Sequence, residues 1–142
     1  MSRIFFDTHL FLYLVAEHPQ RGPRVQQLLS RMIERRDELL TSTLTIGEIL
    51  FQPTSVARPD LVEHYQQMID SIGMVLIPFD RACARLYAQI RSNDRTIKGP
   101  DAIQLASAAQ AKSDLFITND ERLSRKIVPG IQFITSLEQA FL

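Results

Sequence analysis

The sequence predicts an α/β fold in which helices cover both faces of a parallel sheet. Short apolar segments suited to strands alternate along the chain with longer segments of helical spacing. The predicted strand interiors are largely apolar, as is typical of strands that are buried on both faces. With 142 residues, of which 45% are hydrophobic, the chain is expected to form one domain, residues 1–142, with a core of its own.

The first half of the chain contains two strands and three helices by this reasoning. RIFF forms the first strand and LFLYLV the helix after it, and Pro19, Gly22 and Pro23 end that helix. A second helix starts at Arg24, because apolar residues recur there at helical spacing. ELLTST is the second strand, and LTIGEILFQP is a short helix that ends before Pro53. The apolar stripe of the second helix consists of Val25, Leu28, Leu29, Met32 and Ile33.

The second half continues the alternation. TSVARPD is a loop, and the spacing of apolar residues from Leu61 to Ile69 predicts a helix before the third strand, GMVLIP. Asp80 caps the helix RACARLYAQIR. SNDRTIKG is a turn-rich connection to the next helix, which Gly99 and Pro100 open. The fourth strand is DLFIT and the fifth is IQFIT, with one or two helical turns, DERLSRK, between them. SLEQAFL is expected to form a terminal helix.

Composition excludes several classes of protein. The 16 basic and 16 acidic residues cancel, although residues 81–126 hold nine basic and five acidic side chains. The single cysteine, Cys83, cannot form an internal disulfide and fits a reducing cytoplasm, which is the expected location. The unbroken apolar run from Leu10 to Ala16 is too short for export or for spanning a membrane.

Four acidic residues stand at positions that suit a functional site, although three have a structural explanation. Asp101 in the first turn of a helix favours the helix dipole. Glu48 follows Thr45 in the Thr-x-x-Glu pattern of a capping box, and Asp120 can cap the helical turn after it. Asp7 has no such explanation, because it interrupts an apolar run without a turn residue beside it.

Taken together, the four acids predict a metal site. Asp7 and Asp120 end strands, Asp101 begins the helix that leads into the second of these strands, and Glu48 lies early in another helix. Ligands bind at the carboxyl ends of the strands in such sheets. Carboxylates gathered there repel one another and raise each other's pKa unless a cation lies among them. Mg²⁺ or Mn²⁺ suits an oxygen-only ligand set.

Other kinds of site find less support in the sequence. The three histidines, His9, His18 and His64, show no paired spacing for zinc. There is no G-x-S-x-G nucleophile elbow, no phosphate-binding G-x-x-x-x-G-K and no G-x-G-x-x-G. A phosphohydrolase or receiver-type domain with an aspartyl phosphate stays open as an alternative, but DTH lacks the second acid of a D-x-D motif, and no lysine follows the fifth strand.

Four segments, FFDTHLFLYL, TIGEIL, GPDAIQLASA and LFITNDERL, resemble in the same order the acidic motifs of PIN-domain proteins, especially the small VapC-type toxin ribonucleases. The resemblance spans residues 7–123 and implies a five-stranded parallel α/β/α sandwich of strand order 3-2-1-4-5. It implies that the four acids bind Mg²⁺ or Mn²⁺, while Thr8, Thr118 and Asn119 orient these ligands. His9 stands where many members have Asn.

The resemblance further implies an endoribonuclease that cleaves RNA by metal-activated water, the toxin of a type II toxin–antitoxin pair. Lys98, Arg122 and Arg125, with Arg91 or Arg95, are the candidates for contacts to RNA phosphates. The expected partners are an RNA substrate, a cognate antitoxin and a second copy of the chain, with no membrane. The alternative is a PIN-like module that binds RNA or protein without cutting it.

Overall fold

The computed structural model describes all residues, 1–142, and contains one five-stranded, all-parallel sheet of order β3-β2-β1-β4-β5. This confirms the predicted fold class and strand order. The strands are β1 Arg3–Phe6, β2 Glu38–Ser42, β3 Val75–Ile77, β4 Leu115–Thr118 and β5 Phe133–Ser136. The helices are α1 Thr8–Val15, α2 Arg21–Arg35, α3 Thr43–Ser55, α4 Pro59–Ile72, α5 Arg81–Asn93, α6 Gly99–Gln110 and α7 Glu121–Ser124.

Alternating side chains of the central strands supply two separate cores, one on each face of the sheet. Phe5 of β1 and Phe116 of β4 stack with ring centroids 5.1 Å apart in the core that α5, α6 and α7 cover. Ile4 and Phe6, on the other side of β1, pack in the core that helices α1 to α4 cover. The strands are therefore buried on both faces, as their apolar sequences predict.

The sheet register brings the ends of β1 and β4 together. Phe6 is paired with Ile117, and the backbone N–H of Asp7 donates to the carbonyl of Ile117 at 3.0 Å. Asp7 and Thr118 therefore follow directly at the same edge of the sheet. Helix α3 leaves the neighbouring strand β2 at this edge, and α6 packs beside β2. Four elements thus deliver residues to one place.

Two predictions about α2 are wrong. The helix begins at Arg21, three residues earlier than predicted, so Gly22 and Pro23 lie within its first turn. Proline is tolerated there because the N–H groups of the first turn have no partner inside the helix. Ile33 is 78% exposed although its spacing places it on the apolar stripe, which in the structure is buried at Val25, Leu28 and Met32.

Helix α3 does not end before Pro53 but continues through it to Ser55. A proline in the last turn removes one hydrogen bond, to the carbonyl four residues earlier. Pro53 is buried, and α3 packs against α4, so we attribute the continuation of the helix to tertiary packing. The predicted loop TSVARPD shortens accordingly to the residues between Ser55 and Pro59.

The predicted terminal helix SLEQAFL is absent. Ser136 ends β5, and the residues after it form a turn and then an irregular end. Seven residues are too few to form a stable helix unless packing supports it. Here the carbonyls of Ala140 and Leu142 instead accept hydrogen bonds from Arg24 and Arg31 of α2. None of the seven helices combines the length and apolarity needed to cross a bilayer.

Candidate active site

A polar cavity of about 260 Å³ opens at the carboxyl edge of the sheet. Apart from Pro100, the side chains that line it are polar, and all four predicted acids are among them. Its walls come from the end of β1 and the start of α1, the second turn of α3, the first turns of α6 and the residues after β4. The lining residues are Asp7, Thr8, His9, Glu48, Pro100, Asp101, Gln104, Asn119 and Asp120.

Asp7 is the most buried of the four acids, with 7% of its surface exposed. Asp7 is the N-cap of α1, since Oδ1 accepts from the backbone N–H of Thr8 at 2.8 Å. The expectation that Asp7 has no structural role is therefore wrong. The Oδ2 atom of Asp7 accepts from the hydroxyl of Thr118, also at 2.8 Å. Burial raises the pKa of Asp7 from 3.8 to about 6, against the lowering effect of these two hydrogen bonds, and the nearby Asp101 charge adds a smaller rise.

Asp101 lies in the first turn of α6 and is half-buried. Its pKa is raised, first by burial and then by the negative charge of Asp120, with a further contribution from Glu48. Arg122 and Lys98 are near enough to act in the opposite direction. The carboxylates at this edge therefore do disfavour each other's ionised forms, as the sequence predicts, but burial is the larger cause for both Asp7 and Asp101.

Asp120 both caps a helix and lines the cavity. Its Oδ1 accepts from the backbone N–H groups of Arg122 and Leu123, at 2.9 and 3.2 Å, at the start of α7. The structural explanation offered by the sequence is therefore correct. It does not compete with a functional role, because Asp120 is also part of the cavity lining.

Glu48, in contrast, does not belong to a capping box. The N-cap of α3 is Ser42, whose hydroxyl accepts from the N–H of Thr45 at 3.4 Å. Glu48 lies one turn further along the helix, and its Oε1 accepts from the hydroxyl of Thr8 at 2.7 Å. Its one hydrogen-bonded partner thus comes from α1, not from its own helix.

The residues predicted to orient the four acids lie beside them. Thr8 contacts Glu48 as described, and Thr118 joins two acids, because its hydroxyl donates to Asp7 and accepts from the backbone N–H of Asp120 at 3.1 Å. Asn119 lines the cavity.

The sequence reasoning missed Gln104, which is buried and lies three residues after Asp101 on the same face of α6. That spacing was the available signal. His9 also lines the cavity, with its ring tilted toward Tyr13 at a centroid distance of 6.4 Å.

The predicted phosphate-contacting side chains divide into two groups. Lys98 and Arg122 are exposed and close enough to Asp101 to influence its pKa. Arg125 lies within 3.9 Å of Glu121 and lines a second, larger cavity of about 400 Å³. That cavity contains the ion pair between Lys126 and Asp94 and none of the four acids.

The donor set of the acidic cavity fits a hard divalent cation. The acids, amides and hydroxyls present are oxygen ligands of the kind that Mg²⁺ and Mn²⁺ prefer. No three acidic, histidine or cysteine side chains are drawn close enough to hold an ion directly as they stand. Mg²⁺ commonly keeps several waters and takes one or two carboxylates, so a 260 Å³ cavity lined by separated carboxylates still suits it.

Comparison with known proteins adds independent findings. The family model of the PIN domain matches residues 4–127. Ribonuclease VapC47 of Mycobacterium tuberculosis (strain CDC 1551 / Oshkosh) is 28% identical to the chain over 122 residues, which cover 84% of the chain and 86% of that protein.

Several solved structures share the architecture. VapBC2 from Rickettsia felis, bound to a DNA fragment from its promoter, matches with a TM-score of 0.72 at 16% identity, over 94% of the chain and 98% of its own. A toxin–antitoxin complex from Klebsiella pneumoniae has a TM-score of 0.65 at 22% identity, with coverage of 90% and 94%. VapBC-5 from Mycobacterium tuberculosis has a TM-score of 0.63 at 18% sequence identity, and the match covers 95% of the chain and 99% of the VapBC-5 chain. At these sequence identities the structural likeness shows a shared fold alone.

Proposed function

Because the chain belongs to the PIN-domain family, we propose that it is a Mg²⁺- or Mn²⁺-dependent endoribonuclease and the toxin of a type II toxin–antitoxin pair. The observation that carries the proposal is the convergence of Asp7, Glu48, Asp101 and Asp120 from four different parts of the fold on one polar cavity. The name of the similar ribonuclease and the toxin–antitoxin complexes among the similar structures support it.

In this proposal the cation lies among the four carboxylates, with one or two of them bound directly and the others through its waters. It thereby relieves the electrostatic cost of their arrangement. Asp7 would be a ligand once it is ionised, and Thr118 keeps its Oδ2 in a fixed direction. The bound cation would neutralise the scissile phosphate and lower the pKa of an attacking water. Asp101 and Asp120 face the same cavity and complete the negative surface on which the cation and phosphate would meet.

Lys98 and Arg122 are the side chains that we propose to contact RNA phosphates beside the cavity. Both are exposed, and both act on the pKa of Asp101, which places their charges near the acids. Arg125 is the weaker candidate of the three, because it lines the other cavity and lies near Glu121. Contacts of this kind would position the chain of phosphates without reading its bases.

We also propose a cognate antitoxin that covers the acidic cavity with an Arg or Lys side chain. A guanidinium can form paired hydrogen bonds with carboxylates and would compensate their charge in place of the metal. A second copy of the chain as a partner, and a cytoplasmic location, are part of the same proposal. The expected product ends are a 5′ phosphate and a 3′ hydroxyl, because water attacks and the 3′ oxygen departs.

The decisive experiment incubates the purified protein with a total RNA pool, with Mg²⁺, with Mn²⁺ and with EDTA, and maps the new ends. Cleavage should require one of the cations. Asp7→Asn, Asp101→Asn and Asp120→Asn should each abolish it, whereas Asp70→Asn, an exposed acid of α4, should not. Cleavage by Asp7→Asn at the wild-type rate would contradict the proposal.

The alternative of a non-cutting module makes a different prediction in the same experiment. RNA would be retained by the protein, measured by filter binding, without new ends in any cation. A module that holds RNA without cutting it has no need of four carboxylates in one cavity, and such a cavity repels phosphate when no cation is present. The acidic lining therefore favours the nuclease.

A further inference from the structure

Gln104 connects three elements beneath the acidic cavity. It lies on α6 with 1% of its surface exposed, and its carboxamide reaches toward the start of α1 and of α3. Its Nε2 donates to the hydroxyls of Thr8 and Thr45, both at 2.8 Å, and its Oε1 accepts from the hydroxyl of Ser42. A buried carboxamide with all these partners is held in one orientation by its hydrogen bonds.

The hydrogen atoms in this network can be assigned by counting, because each hydroxyl has only one. The hydrogen of Thr8 points to Oε1 of Glu48 at 2.7 Å. The hydroxyls of Thr45 and Thr41 lie 2.8 Å apart, and Thr41 is also 2.9 Å from the carbonyl of Phe6. The carbonyl of Phe6 can only accept, so it takes the hydrogen of Thr41. The hydrogen of Thr45 can then go to Thr41 or to the Thr8 hydroxyl, 3.2 Å away, and in either case Thr45 and Thr8 have a lone pair left to accept from Gln104.

The direction of the Gln104 carboxamide decides where the Thr8 hydrogen goes. In the reverse orientation, Oε1 of Gln104 would face Thr8 and Thr45 and would draw the Thr8 hydrogen toward itself. The Glu48 carboxylate would then face an oxygen lone pair at 2.7 Å instead of a hydrogen. The arrangement with Nε2 toward Thr8 satisfies every member of the network, and it turns the Thr8 hydroxyl to Glu48.

Glu48 needs such a contact because it is otherwise unrestrained. It is exposed on α3, and the hydrogen bond from Thr8 is the one that its carboxylate receives. A glutamate side chain loses considerable rotamer freedom when it is fixed, so a ligand of this type is effective only if something holds it. With Oε1 held by Thr8, Oε2 is left for the cavity that Glu48 lines.

We propose that Gln104 is a positioning residue that acts through the Thr8 hydroxyl to hold the Glu48 carboxylate at the acidic cavity. The inference rests on the proposed function and deepens it, because the Gln104 carboxamide is engaged by Ser42, Thr8 and Thr45 and would act on the cation through Glu48. It assigns a role to a buried side chain of α6 that the acids alone do not explain.

The test measures Mn²⁺ affinity by electron paramagnetic resonance, together with RNA cleavage. Gln104→Met keeps the length of the side chain but removes both donors, and it should weaken Mn²⁺ binding about tenfold or more, as loss of a partner behind a metal ligand typically does. In a Glu48→Ala background the same change should have no further effect on affinity, because the ligand that it positions is gone.

Two further comparisons separate positioning from general destabilisation. Ser107→Ala removes another buried hydroxyl of α6, one that donates to the carbonyl of Ile103, and should leave Mn²⁺ affinity unchanged. Thr8→Ser retains the hydroxyl and should bind Mn²⁺ like the wild type, whereas Thr8→Val should behave like Gln104→Met. The Thr8 pair still provides the test if Gln104→Met does not fold.

The outcomes distinguish this inference from the proposed function. Suppose that the wild type binds Mn²⁺ and cuts RNA, and that Gln104→Met and Thr8→Val both bind Mn²⁺ with the affinity of the wild type. The inference is then overturned and the proposed function stands. The inference is also overturned if the effect of Gln104→Met persists in full in the Glu48→Ala background. A wild type that neither binds Mn²⁺ nor cuts RNA overturns both.

Discussion

The environment of Asp7 acts on the ionisation of its carboxyl group in two opposite directions. Its hydrogen bonds from Thr8 and Thr118 favour the ionised carboxylate, whereas its burial disfavours it. Burial wins, since the pKa rises to about 6. The ionised, buried carboxylate lowers the stability of the fold at neutral pH, and binding of a proton or a cation restores it. The proposed metal site is in this way linked to the stability of the fold.

The pH dependence of stability tests this balance. In the unfolded chain Asp7 titrates near 3.8, and in the folded protein near 6, so the folded protein binds more protons between these values. The free energy of unfolding should therefore fall as pH rises through this window and level off above it. A pKa difference of this size corresponds to about 3 kcal/mol. About half of this difference falls between pH 5 and pH 7.5, because Asp7 of the unfolded chain is already ionised at pH 5. Urea unfolding in EDTA at these two pH values measures that part.

Asp7→Asn serves as the matched variant in that experiment. It removes the ionisable group and, with it, most of the fall in stability between pH 5 and pH 7.5. At pH 7.5 it should be more stable than the wild type by about 1 to 2 kcal/mol, because relief of the buried charge exceeds the loss of the Thr118 hydrogen bond, about 1 kcal/mol. An equal pH dependence in both proteins would show that Asp7 is not the group responsible.

Two substitutions of Asp120 distinguish its role as a helix cap from its proposed role in RNA cleavage. Asn caps a helix about as well as Asp, whereas Ala costs about 1 kcal/mol. Asp120→Asn should therefore keep the stability of the wild type to within about 0.5 kcal/mol, and Asp120→Ala should lose about 1 kcal/mol. Both should lose RNA cleavage, because neither supplies a second carboxylate oxygen to the cavity.

Asp80 provides the control for Asp120. It caps α5 by accepting from the backbone N–H of Cys83 at 2.9 Å, and it does not line the acidic cavity. Asp80→Ala should lose a similar amount of stability while RNA cleavage is retained. If Asp120→Asn cuts RNA normally, Asp120 is a cap alone.

Among the helices and strands, the features that were predictable are those with local causes. Asp80 caps α5 as its sequence context predicts, and the alternation of strands and helices gave the class of fold. The errors have tertiary causes. Pro53 stays within α3 where α3 packs against α4, and the chain end is tied to α2 by Arg24 and Arg31 instead of forming a helix.

The candidate site was likewise predictable in part. The four acids could be found because they interrupt or border apolar elements, and their convergence follows from parallel strands that end at one edge. Gln104 shares a face of α6 with Asp101, which was a local signal, but its hydrogen bond to Thr8 depends on the distance between α6 and the start of α1, which no local pattern contains. For Glu48, the local pattern suggested a capping box, but the side chain points to another helix.

Two helical glycines should respond oppositely to substitution by alanine. A Cβ on Gly22 would lie 3.0 Å from the carbonyl oxygen of Tyr13, where α2 crosses α1, whereas a Cβ on Gly47 of α3 would meet nothing within 4 Å. Gly47→Ala should stabilise the protein by about 0.5 to 1 kcal/mol, because Ala restricts the unfolded chain and favours helix.

Gly22→Ala should destabilise the protein by about 1 to 3 kcal/mol, the cost of overpacking at a backbone contact. Urea unfolding of both variants and the wild type at one pH measures the difference. Both changes add the same methyl group to a helix, so helix propensity alone predicts stabilisation in each case. If Gly22→Ala is as stabilising as Gly47→Ala, the close crossing of α1 and α2 is wrong.

For the molecule as a whole, the acidic edge should make stability depend on divalent cations. A ligand that binds only the folded state adds RT ln(1 + [L]/Kd) to the free energy of unfolding, about 1.4 kcal/mol at ten times Kd. We expect the melting temperature of the wild type to rise with Mg²⁺ concentration in the millimolar range, and to do so more at pH 7.5 than at pH 5.5. The pH difference follows from Asp7, whose pKa of about 6 leaves it protonated, and therefore a poor ligand, at the lower pH.

Asp101→Asn and Asp70→Asn distinguish a cation site from general screening of charge. In EDTA, Asp101→Asn should be as stable as the wild type or more so, since burial and the charge of Asp120 both disfavour its ionised form. Added Mg²⁺ should stabilise this variant less than the wild type. Asp70→Asn removes an exposed charge of the same type from α4 and should respond to Mg²⁺ as the wild type does. Equal responses in all three proteins would mean that Mg²⁺ acts by screening, and the four acids would then be caps and surface charges rather than a metal site.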